Sequence, residues 1–384
     1  MLRSGGGVRV GSRRLALLVG AAMAAGLAVA AAIGLTSCWS LSDPLPATTT
    51  GAGGSGGGGA SSTTGGGGTH VGGGGGAEPC VPAKPPDAPS STGATTAGGF
   101  IFAIRSVRFQ TGQGGDLGYD LDDLCTCPDP RGCVTDVDAG AHCDEPGGRD
   151  NTLGPSLNQA ITILLGNTAG EILTDGAETG QWSVLLEVEQ LNLPDDPQVQ
   201  VIAQPAAACC GGAGPTWNGT DPWPTEEGAE TFTADEAYLS SNRLVARFSA
   251  VELHMRRMTT PTLKLSVRMS NAVLSASLDT SSDPARLVDG VVTGQVTQEE
   301  LFRGLDSIQF DSNALCRNNG AYPAIKQTVC DNRDLTTGDS TSPCEGASLA
   351  LGFTADEVGS GGSAAIPPKF SCSAGQYPEG DTCE

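Results

Sequence analysis

The chain has 384 residues, with 43 acidic residues against 21 lysines and arginines, and its formal net charge is −22. A surface this acidic repels phosphate backbones, so we expect no nucleic-acid partner. Residues 51–76 contain 16 glycines, and so glycine-rich a segment cannot bury enough apolar surface to offset its ordering entropy. Residues 99–384 remain, and they are long enough for a single domain with a sizeable core.

The N-terminus is basic and then apolar. Arginines precede a run of apolar residues over 15–35, and this run closes on Leu35-Thr36-Ser37-Cys38. The segment resembles a bacterial lipoprotein signal, whose lipobox motif is a Leu, two small residues and a Cys. The resemblance implies that residues 1–37 are removed as a signal peptide, that Cys38 carries a lipid, and that this lipid makes the membrane a partner.

Two other interpretations of the N-terminus stay open. The apolar run is longer than the roughly 7–15 residues of a typical signal core, so an uncleaved membrane helix is an alternative. Ser12-Arg13-Arg14-Leu15-Ala16-Leu17 also resembles a twin-arginine export motif, although the aromatic residue expected in place of Ala16 is missing.

Residues 38–98 are rich in Gly, Ser, Thr and Pro. We predict a disordered tether, and a flexible chain of about sixty residues spans about 40 Å. Behind a lipid anchor, such a spacer holds a domain clear of the membrane. This arrangement predicts a location at the outer membrane or the cell surface.

Ordered structure begins with a predicted strand over residues 100–110, whose apolar face switches midway and indicates a central strand or a bulge. An acidic, cysteine-rich loop follows over residues 116–151, with few large apolar residues to pack it. Such a loop must be held by disulfides, by a metal ion or by both. Closely spaced acids favour calcium, which takes about six to eight oxygen ligands. The candidate ligands are Asp116, Asp120, Asp122, Asp123, Asp136, Asp138 and Asp150.

Two alternatives to calcium stay open for this loop. The helix-loop-helix calcium pattern is incomplete, because residue 124 is a leucine and Gly140 falls one residue early. A solvated loop stapled by disulfides is therefore the first alternative. Zinc held by Cys125, Cys127, Cys133 or Cys143 with His142 is the second, and it is disfavoured because exported thiols oxidise.

The chain has 13 cysteines, and setting Cys38 aside leaves an even number. Export predicts disulfides among them. A mutual disulfide strains adjacent cysteines, so we predict different partners for Cys209 and Cys210, and we predict a local bridge between Cys372 and Cys383. The candidates are Cys80, Cys125, Cys127, Cys133, Cys143, Cys209, Cys210, Cys316, Cys330, Cys344, Cys372 and Cys383.

The middle of the chain predicts one helix and two strands. Ser156 and Gln159 stand at capping-box spacing and predict a helix that starts at Ser156 and ends at Gly166. Alternating apolar residues predict strands over residues 182–188 and 199–202.

An irregular stretch follows and contains two tryptophans. Trp217, Asp221 and Trp223 form a candidate carbohydrate site, because tryptophan rings stack on sugars and a carboxylate accepts hydrogen bonds from hydroxyls. The alternative is that the tryptophans plug the end of the core beneath a long loop.

The C-terminal half has the clearest strand pattern. Alternation predicts strands over residues 243–248, 263–270, 272–278 and 287–296, with a turn at Ser270-Asn271. Thr297 and Glu300 predict a helix start, and residues 348–353 predict another strand. The predicted fold is mainly β, an antiparallel sandwich-like domain with a few short helices and disulfide-bonded loops.

The sequence contains no recognisable catalytic motif outside the glycine-rich tether. We therefore predict no catalytic residues and, calcium apart, no cofactor. Only three histidines exist, and His254 at the end of a strand is interpreted as structural and partly exposed.

The order of lipobox, tether, acidic loop and β domain resembles a set of tethered lipoproteins of Gram-negative bacteria that have no assigned activity. The resemblance implies a membrane-anchored extracytoplasmic lipoprotein, and we expect a binding or structural surface module for a carbohydrate or protein ligand. The alternatives are a calcium-dependent carbohydrate-binding module and a polysaccharide or peptidoglycan hydrolase that uses paired carboxylates.

Overall fold

The computed structural model describes residues 81–111, 115–123, 133, 144–189, 191–310, 313–336, 342–366 and 371–383. The predicted signal peptide, Cys38 and the tether up to residue 80 lie outside the described residues. The described part is mainly β with a few short helices, which confirms the predicted fold class.

The described residues form fifteen strands and four helices. The helices are α1 (Leu153–Leu165), α2 (Ala169–Glu178), α3 (Gln298–Ser307) and α4 (Tyr322–Asp331). Among these residues, no helix combines the length and apolar character that crossing a bilayer requires. The strands are β1 (Thr95–Thr96), β2 (Phe100–Phe109), β3 (Ser183–Val188), β4 (Asn192–Leu193), β5 (Val201–Ala206), β6 (Pro222–Glu226), β7 (Phe232–Thr233), β8 (Glu236–Ser240), β9 (Arg243–Arg257), β10 (Leu263–Asp279), β11 (Arg286–Thr297), β12 (Gln309–Phe310), β13 (Asn313–Ala314), β14 (Gly346–Glu357) and β15 (Gly359–Ala364).

Apart from the parallel pair of β6 and β15, the main sheet is antiparallel, and it curls until its edges meet. β2 pairs with β14 on one edge and with β3 on the other, and β3 pairs with β5. On the other side, β14 pairs with β11, β11 with β10, β10 with β9 and β9 with β8. The remaining gap between β5 and β8 is closed by β7 and by backbone hydrogen bonds such as Val199 N–H to Ala237 C=O at 2.9 Å. An isolated bridge between Asp196 and Leu239 and these hydrogen bonds therefore join the two edges of the sheet.

The long strands change their inward face midway. In β10, Leu263, Leu265, Val267 and Met269 are buried, and after Asn271 the buried set moves to Ala272, Leu274, Ala276 and Leu278. Asn271 has a φ of +49°, and the pairing of β10 with β11 shifts register there. The predicted turn at Ser270-Asn271 is therefore wrong. Relative to β11, β10 has one extra residue here, which forms a bulge. The strand continues through the bulge, because β9 pairs with β10 both before and after Asn271.

Strand β2 contains a similar bulge. Its inward residues change from Phe102 and Ile104 to Val107 and Phe109, and its register with β14 shifts between these pairs. The midway switch read from the sequence is confirmed as a bulge in a central strand. The bulges bend the strands so that the inward faces enclose one apolar core.

Helix α2 closes one end of the curled sheet. Thr168 and Glu171 form a capping box at its start, and Ile172, Leu173 and Ala177 are fully buried. The Thr174 hydroxyl accepts from the Val107 backbone N–H and donates to the Val107 carbonyl, both at 3.0 Å. The Thr174 side chain thus supplies hydrogen-bond partners for the backbone N–H and C=O groups of Val107, in a part of β2 that does not pair with β3.

Two of the predicted boundaries are corrected. Helix α1 begins at Leu153 rather than at Ser156, and its end at Gly166, in the left-handed conformation, is confirmed. Residues 81–98, predicted as tether, lie against the rest of the folded part, and we call the folded part from residue 81 onward the body. Strand β1 pairs with β4, and the Tyr238 hydroxyl donates to the Pro86 carbonyl at 2.6 Å. Isolated hydrogen bonds hold this segment, and its composition gave no periodic signal for them.

Gly176 gives a test of the helix packing. A Cβ atom at this position would lie 2.2 Å from the Arg256 carbonyl oxygen on β9. We therefore expect Gly176→Ala to lower the free energy of unfolding by about 1–3 kcal/mol, although alanine favours a helix. Gly170→Ala in the same helix is the control, because its Cβ would meet Val107 at 3.3 Å, and it should lose clearly less. Equal losses in urea denaturation would contradict this packing.

Candidate functional site

Three aspartates converge beside the start of α1. One carboxylate oxygen from each of Asp120, Asp122 and Asp150 lies within 4.8 Å of the others. Asp150 is 2% exposed and Asp120 is 9% exposed, while Asp122 is half-buried. The acidic loop predicted from the sequence therefore has a focused carboxylate cluster at its base.

Backbone contacts between two segments build this cluster. The Asp150 backbone N–H donates to the Tyr119 carbonyl at 3.1 Å, and the Asp150 carboxylate accepts from the Leu121 backbone N–H at 2.7 Å. Gly118 permits the close crossing: it has a φ of +112°, and a Cβ atom there would lie 2.9 Å from the Asp150 carbonyl oxygen. The segments before and after the loop are thus held together where the carboxylates meet.

The electrostatics of the cluster are unfavourable in the absence of a counter-charge. Burial raises the pKa of Asp120 to about 6, and the neighbouring Asp122 carboxylate adds to this, while the Asp123 backbone amide opposes it in part. Burial also raises the pKa of Asp150, and the Asp334 carboxylate raises it further. Within the described residues, both carboxylate oxygens of Asp120 are buried without a hydrogen-bond partner. Such a cluster suits either a bound cation or protonated acids.

Asp334 lies behind the cluster and was not predicted. Its carboxylate accepts from the Ser348 backbone N–H at 2.7 Å and from the Ser348 hydroxyl at 2.5 Å, which ties it to the start of β14. Burial raises the pKa of Asp334 as well. Asp334 lies 184 positions after Asp150 in the sequence, so only the fold brings the two together.

The other candidate calcium ligands do not join the described cluster. Asp116 pairs with Arg108 at 3.0 Å, and Asp123 pairs with Lys84. These two carboxylates thus have cationic partners on the surface, and their assignment as calcium ligands stays a prediction. Asp136 and Asp138 lie outside the described residues.

Four disulfides are present among the described cysteines: Cys133–Cys344, Cys209–Cys210, Cys316–Cys372 and Cys330–Cys383. The prediction of different partners for Cys209 and Cys210 is wrong, because they bond to each other in a turn where Cys210 has a φ of +66°. Cys133 is consumed by its disulfide and is unavailable to zinc. The rest of the zinc hypothesis (Cys125, Cys127, Cys143 and His142) and the candidate Cys80 lie outside the described residues.

The predicted bridge between Cys372 and Cys383 is also wrong. The C-terminal tail runs across α4 instead of folding on itself, with the Arg317 backbone N–H donating to the Gln376 carbonyl at 2.8 Å. Each tail cysteine therefore meets a cysteine of the segment beneath it.

The tryptophans do not form an open sugar platform. Trp223 is fully buried in a small apolar cluster with Leu185 and Val358, so its ring cannot stack on a ligand. The Asp221 carboxylate is buried and accepts from the Thr216 hydroxyl at 2.9 Å and from the Trp217 backbone N–H at 2.5 Å. Trp217 packs on Trp223 and beneath the Arg105 guanidinium. The carbohydrate prediction is corrected for Trp223 and Asp221, since tertiary packing uses them to close the loop on the sheet.

A second charged cluster lies on the outer face of β9. His254 Nδ1 lies 2.6 Å from Glu226 and Nε2 lies 3.1 Å from Glu252, while Arg256 also contacts Glu226. Burial alone lowers the pKa of His254, but the hydrogen bonds with both glutamates outweigh it and raise the pKa to about 9. His254 is thus a charged structural group and a poor general base at neutral pH.

Sequence reasoning placed His254 in a structural role but missed its partners. The available signal was alternation in β9, which puts Glu252, His254 and Arg256 on one face opposite buried Val251, Leu253 and Met255. Glu226 arrives from β6 and has no such signal.

Comparisons of the chain with protein-family models, with curated proteins and with solved structures found no match. The chemistry of the two charged clusters is therefore the basis for interpreting the site.

His254 makes stability depend on pH. Its pKa is about 9 in the folded protein against a usual 6.5, so its contribution is complete below about pH 6.5 and is lost as the pH rises through 9. Between about pH 6 and about pH 9, we expect the wild type to lose roughly 2–3 kcal/mol more unfolding free energy than His254→Gln.

Denaturant titration at both pH values measures this difference. The comparison cancels contributions from other titrating groups, including the buried aspartates. His70→Gln, in the glycine-rich segment, is the control and should behave as the wild type does. Parallel pH profiles for the wild type and His254→Gln would mean that His254 is not held protonated.

Proposed function

We propose that the chain is a membrane-anchored extracytoplasmic lipoprotein whose β domain serves as a binding or structural surface module. The observation that carries this proposal is the set of three disulfides between distant parts of the chain, Cys133–Cys344, Cys316–Cys372 and Cys330–Cys383. Disulfides of this kind persist in oxidising compartments and are rare in the cytosol. They support export, which the lipobox resemblance at Leu35 to Cys38 also implies.

The C-terminal tail depends on these disulfides. Within residues 371–383 the structure describes no helix or strand, and the tail is bonded at Cys372 and Cys383 to the segment that contains α4. Asp381 adds hydrogen bonds from the Tyr322 hydroxyl at 2.7 Å and from the Lys326 ammonium at 3.0 Å. Cross-links of this length stabilise a fold by about 2–4 kcal/mol. A reducing compartment would remove that contribution.

The start of the body supports a tethered arrangement. The Ala83 backbone N–H donates to the Gly147 carbonyl at 2.7 Å, and the Ala83 carbonyl accepts from the Asp120 backbone N–H at 2.9 Å. The glycine-rich composition of the preceding residues predicts a spacer, so a lipid on Cys38 would be separated from the body by about forty residues, or about 35 Å of flexible chain. The body would then face the medium at the outer membrane or the cell surface.

Two features favour a binding or structural role over hydrolysis by paired acids. Glu226 and Glu252 both contact His254, and Glu226 is also held by Arg256, so neither is poised to donate or accept a proton. Asp120 and Asp150 are buried, so a glycan chain has no direct access to their carboxylates. Hydrolysis of a polysaccharide requires two carboxylates that flank an accessible bond.

Replacement of the lipobox cysteine tests the anchor. We expect Cys38→Ala expressed in a Gram-negative host to remain unprocessed by signal peptidase II, to incorporate no labelled palmitate and to leave the lipid-anchored membrane pool. Membrane fractionation and the mobility of the precursor measure these effects.

Ser37→Ala is the matched control, because it keeps a small residue before the cysteine and should be processed like the wild type. Globomycin should also block cleavage by signal peptidase II, but the wild-type precursor that accumulates should still incorporate labelled palmitate at Cys38, unlike Cys38→Ala. Unchanged processing and fractionation of Cys38→Ala would sink the lipoprotein proposal.

A further inference from the structure

We propose that Asp120, Asp122 and Asp150 bind a calcium ion that joins the two ends of the acidic loop. The proposal goes beyond the lipoprotein assignment and does not depend on it, because all three residues belong to the folded body. Of the candidate ligands that the structure describes, these three meet in space.

The spacing of the carboxylates suits one calcium ion. One oxygen from each aspartate lies within 4.8 Å of the others. Calcium binds oxygen ligands at about 2.3–2.6 Å, so ligands on opposite sides of the ion are about 5 Å apart and adjacent ligands are closer. A single ion can therefore contact all three carboxylates without a large movement of the backbone.

Burial of Asp120 is the second, independent observation. The side chain is more than nine-tenths buried and aimed into the cluster, and neither of its oxygens has a hydrogen-bond partner within the described part of the chain. No ion pair of Asp120 or Asp150 is found among these residues either. Buried carboxylates are compensated by hydrogen bonds, by cationic side chains or by metals. Within this part of the chain the Asp120 carboxylate accepts no hydrogen bond of normal geometry and forms no ion pair. The Asp123 backbone N–H and the Lys84 ammonium, which is itself paired with Asp123, offset its burial only in part, and a metal ion would supply the missing compensation.

The donor set selects calcium among the common metals. The three ligands are hard carboxylate oxygens, and the described thiol of the loop, Cys133, is bonded to Cys344. Zinc and other softer ions prefer nitrogen and sulfur. Magnesium keeps most of its water and is usually held by one or two carboxylates in a strict octahedron, whereas calcium accepts several carboxylates in irregular geometry.

The ion would lock the place where three segments meet. Asp120 and Asp122 lie near the start of the acidic loop, Asp150 lies near its end, and Ala83 at the start of the body is hydrogen-bonded to Asp120 and Gly147. Calcium would thus close the base of the loop next to the point where the proposed tether reaches the body. Removal of calcium would remove this link between the two ends of the loop.

Calcium titration of the full exported chain, after treatment with EDTA, tests the site. Calorimetry should detect one calcium ion per chain, with a Kd near the roughly 10⁻⁴–10⁻³ M of extracellular calcium modules. Calcium at about ten times this Kd should raise the Tm by about 2–5 °C.

Asp120→Asn best separates a calcium-binding role of this carboxylate from a purely structural one. It should weaken calcium binding at least about tenfold, and in EDTA its Tm should equal or exceed that of the wild type, because the amide removes a buried charge. A carboxylate with a purely structural role would instead lower the Tm in both conditions when replaced. Asp122→Asn, at a more exposed position, keeps the test available if Asp120→Asn folds poorly.

Asp116→Asn is the matched control. It makes the same change in the same stretch of sequence, but Asp116 pairs with Arg108 away from the cluster, so the calcium response should match the wild type. A wild type without heat of binding and without a Tm shift would overturn the proposal, and this is the result expected if the three carboxylates share protons. An undiminished response in both Asp120→Asn and Asp122→Asn would also overturn it. Equal affinity for magnesium would contradict the assignment to calcium.

Discussion

Closure of the sheet between β5 and β8 is the constraint on which the rest of the structure depends. An open sheet leaves a row of unpaired backbone groups at each edge. Here β7 and the hydrogen bonds of Asp196 and Val199 with Leu239 and Ala237 join the edges. Bulges in β2 and β10 bend the long strands enough for the edges to meet. One enclosed core results, and α2 seals its end through Thr174 and Gly176.

The buried charges of the two clusters are compensated in different ways. On the face of β9, Glu226 is surrounded by His254 and Arg256, so each charge has a partner and the histidine stays protonated. At the base of the acidic loop, three carboxylates meet beside a fourth, Asp334, and the carboxylate oxygens of Asp120 have no hydrogen-bond partner among the described residues. The first cluster is complete within the chain, whereas the second requires protons or a cation from solution.

The sequence predicted elements best where one physical signal dominated. Alternation located β3, β9 and β11, and the switch of apolar face in residues 100–110 predicted the bulge in β2. Helix α2 was missed although Thr168 and Glu171 form a capping box, because the segment is short and contains two glycines. Ser270-Asn271 was misread as a turn, since a bulge and a turn both interrupt alternation and only pairing with β9 separates them.

The sequence by itself determined the β class, the acidic character, the capacity for disulfides and the position of a lipobox-like motif, because composition, periodicity and local spacing carry that information. Tertiary structure decided which groups meet. It paired Cys316 with Cys372 and Cys330 with Cys383, buried Trp223, and separated Asp116 and Asp123 from Asp120, Asp122 and Asp150. The physical reason is that disulfide partners, burial and carboxylate clusters depend on distances across the sheet between residues far apart in the chain, and no local pattern encodes those distances.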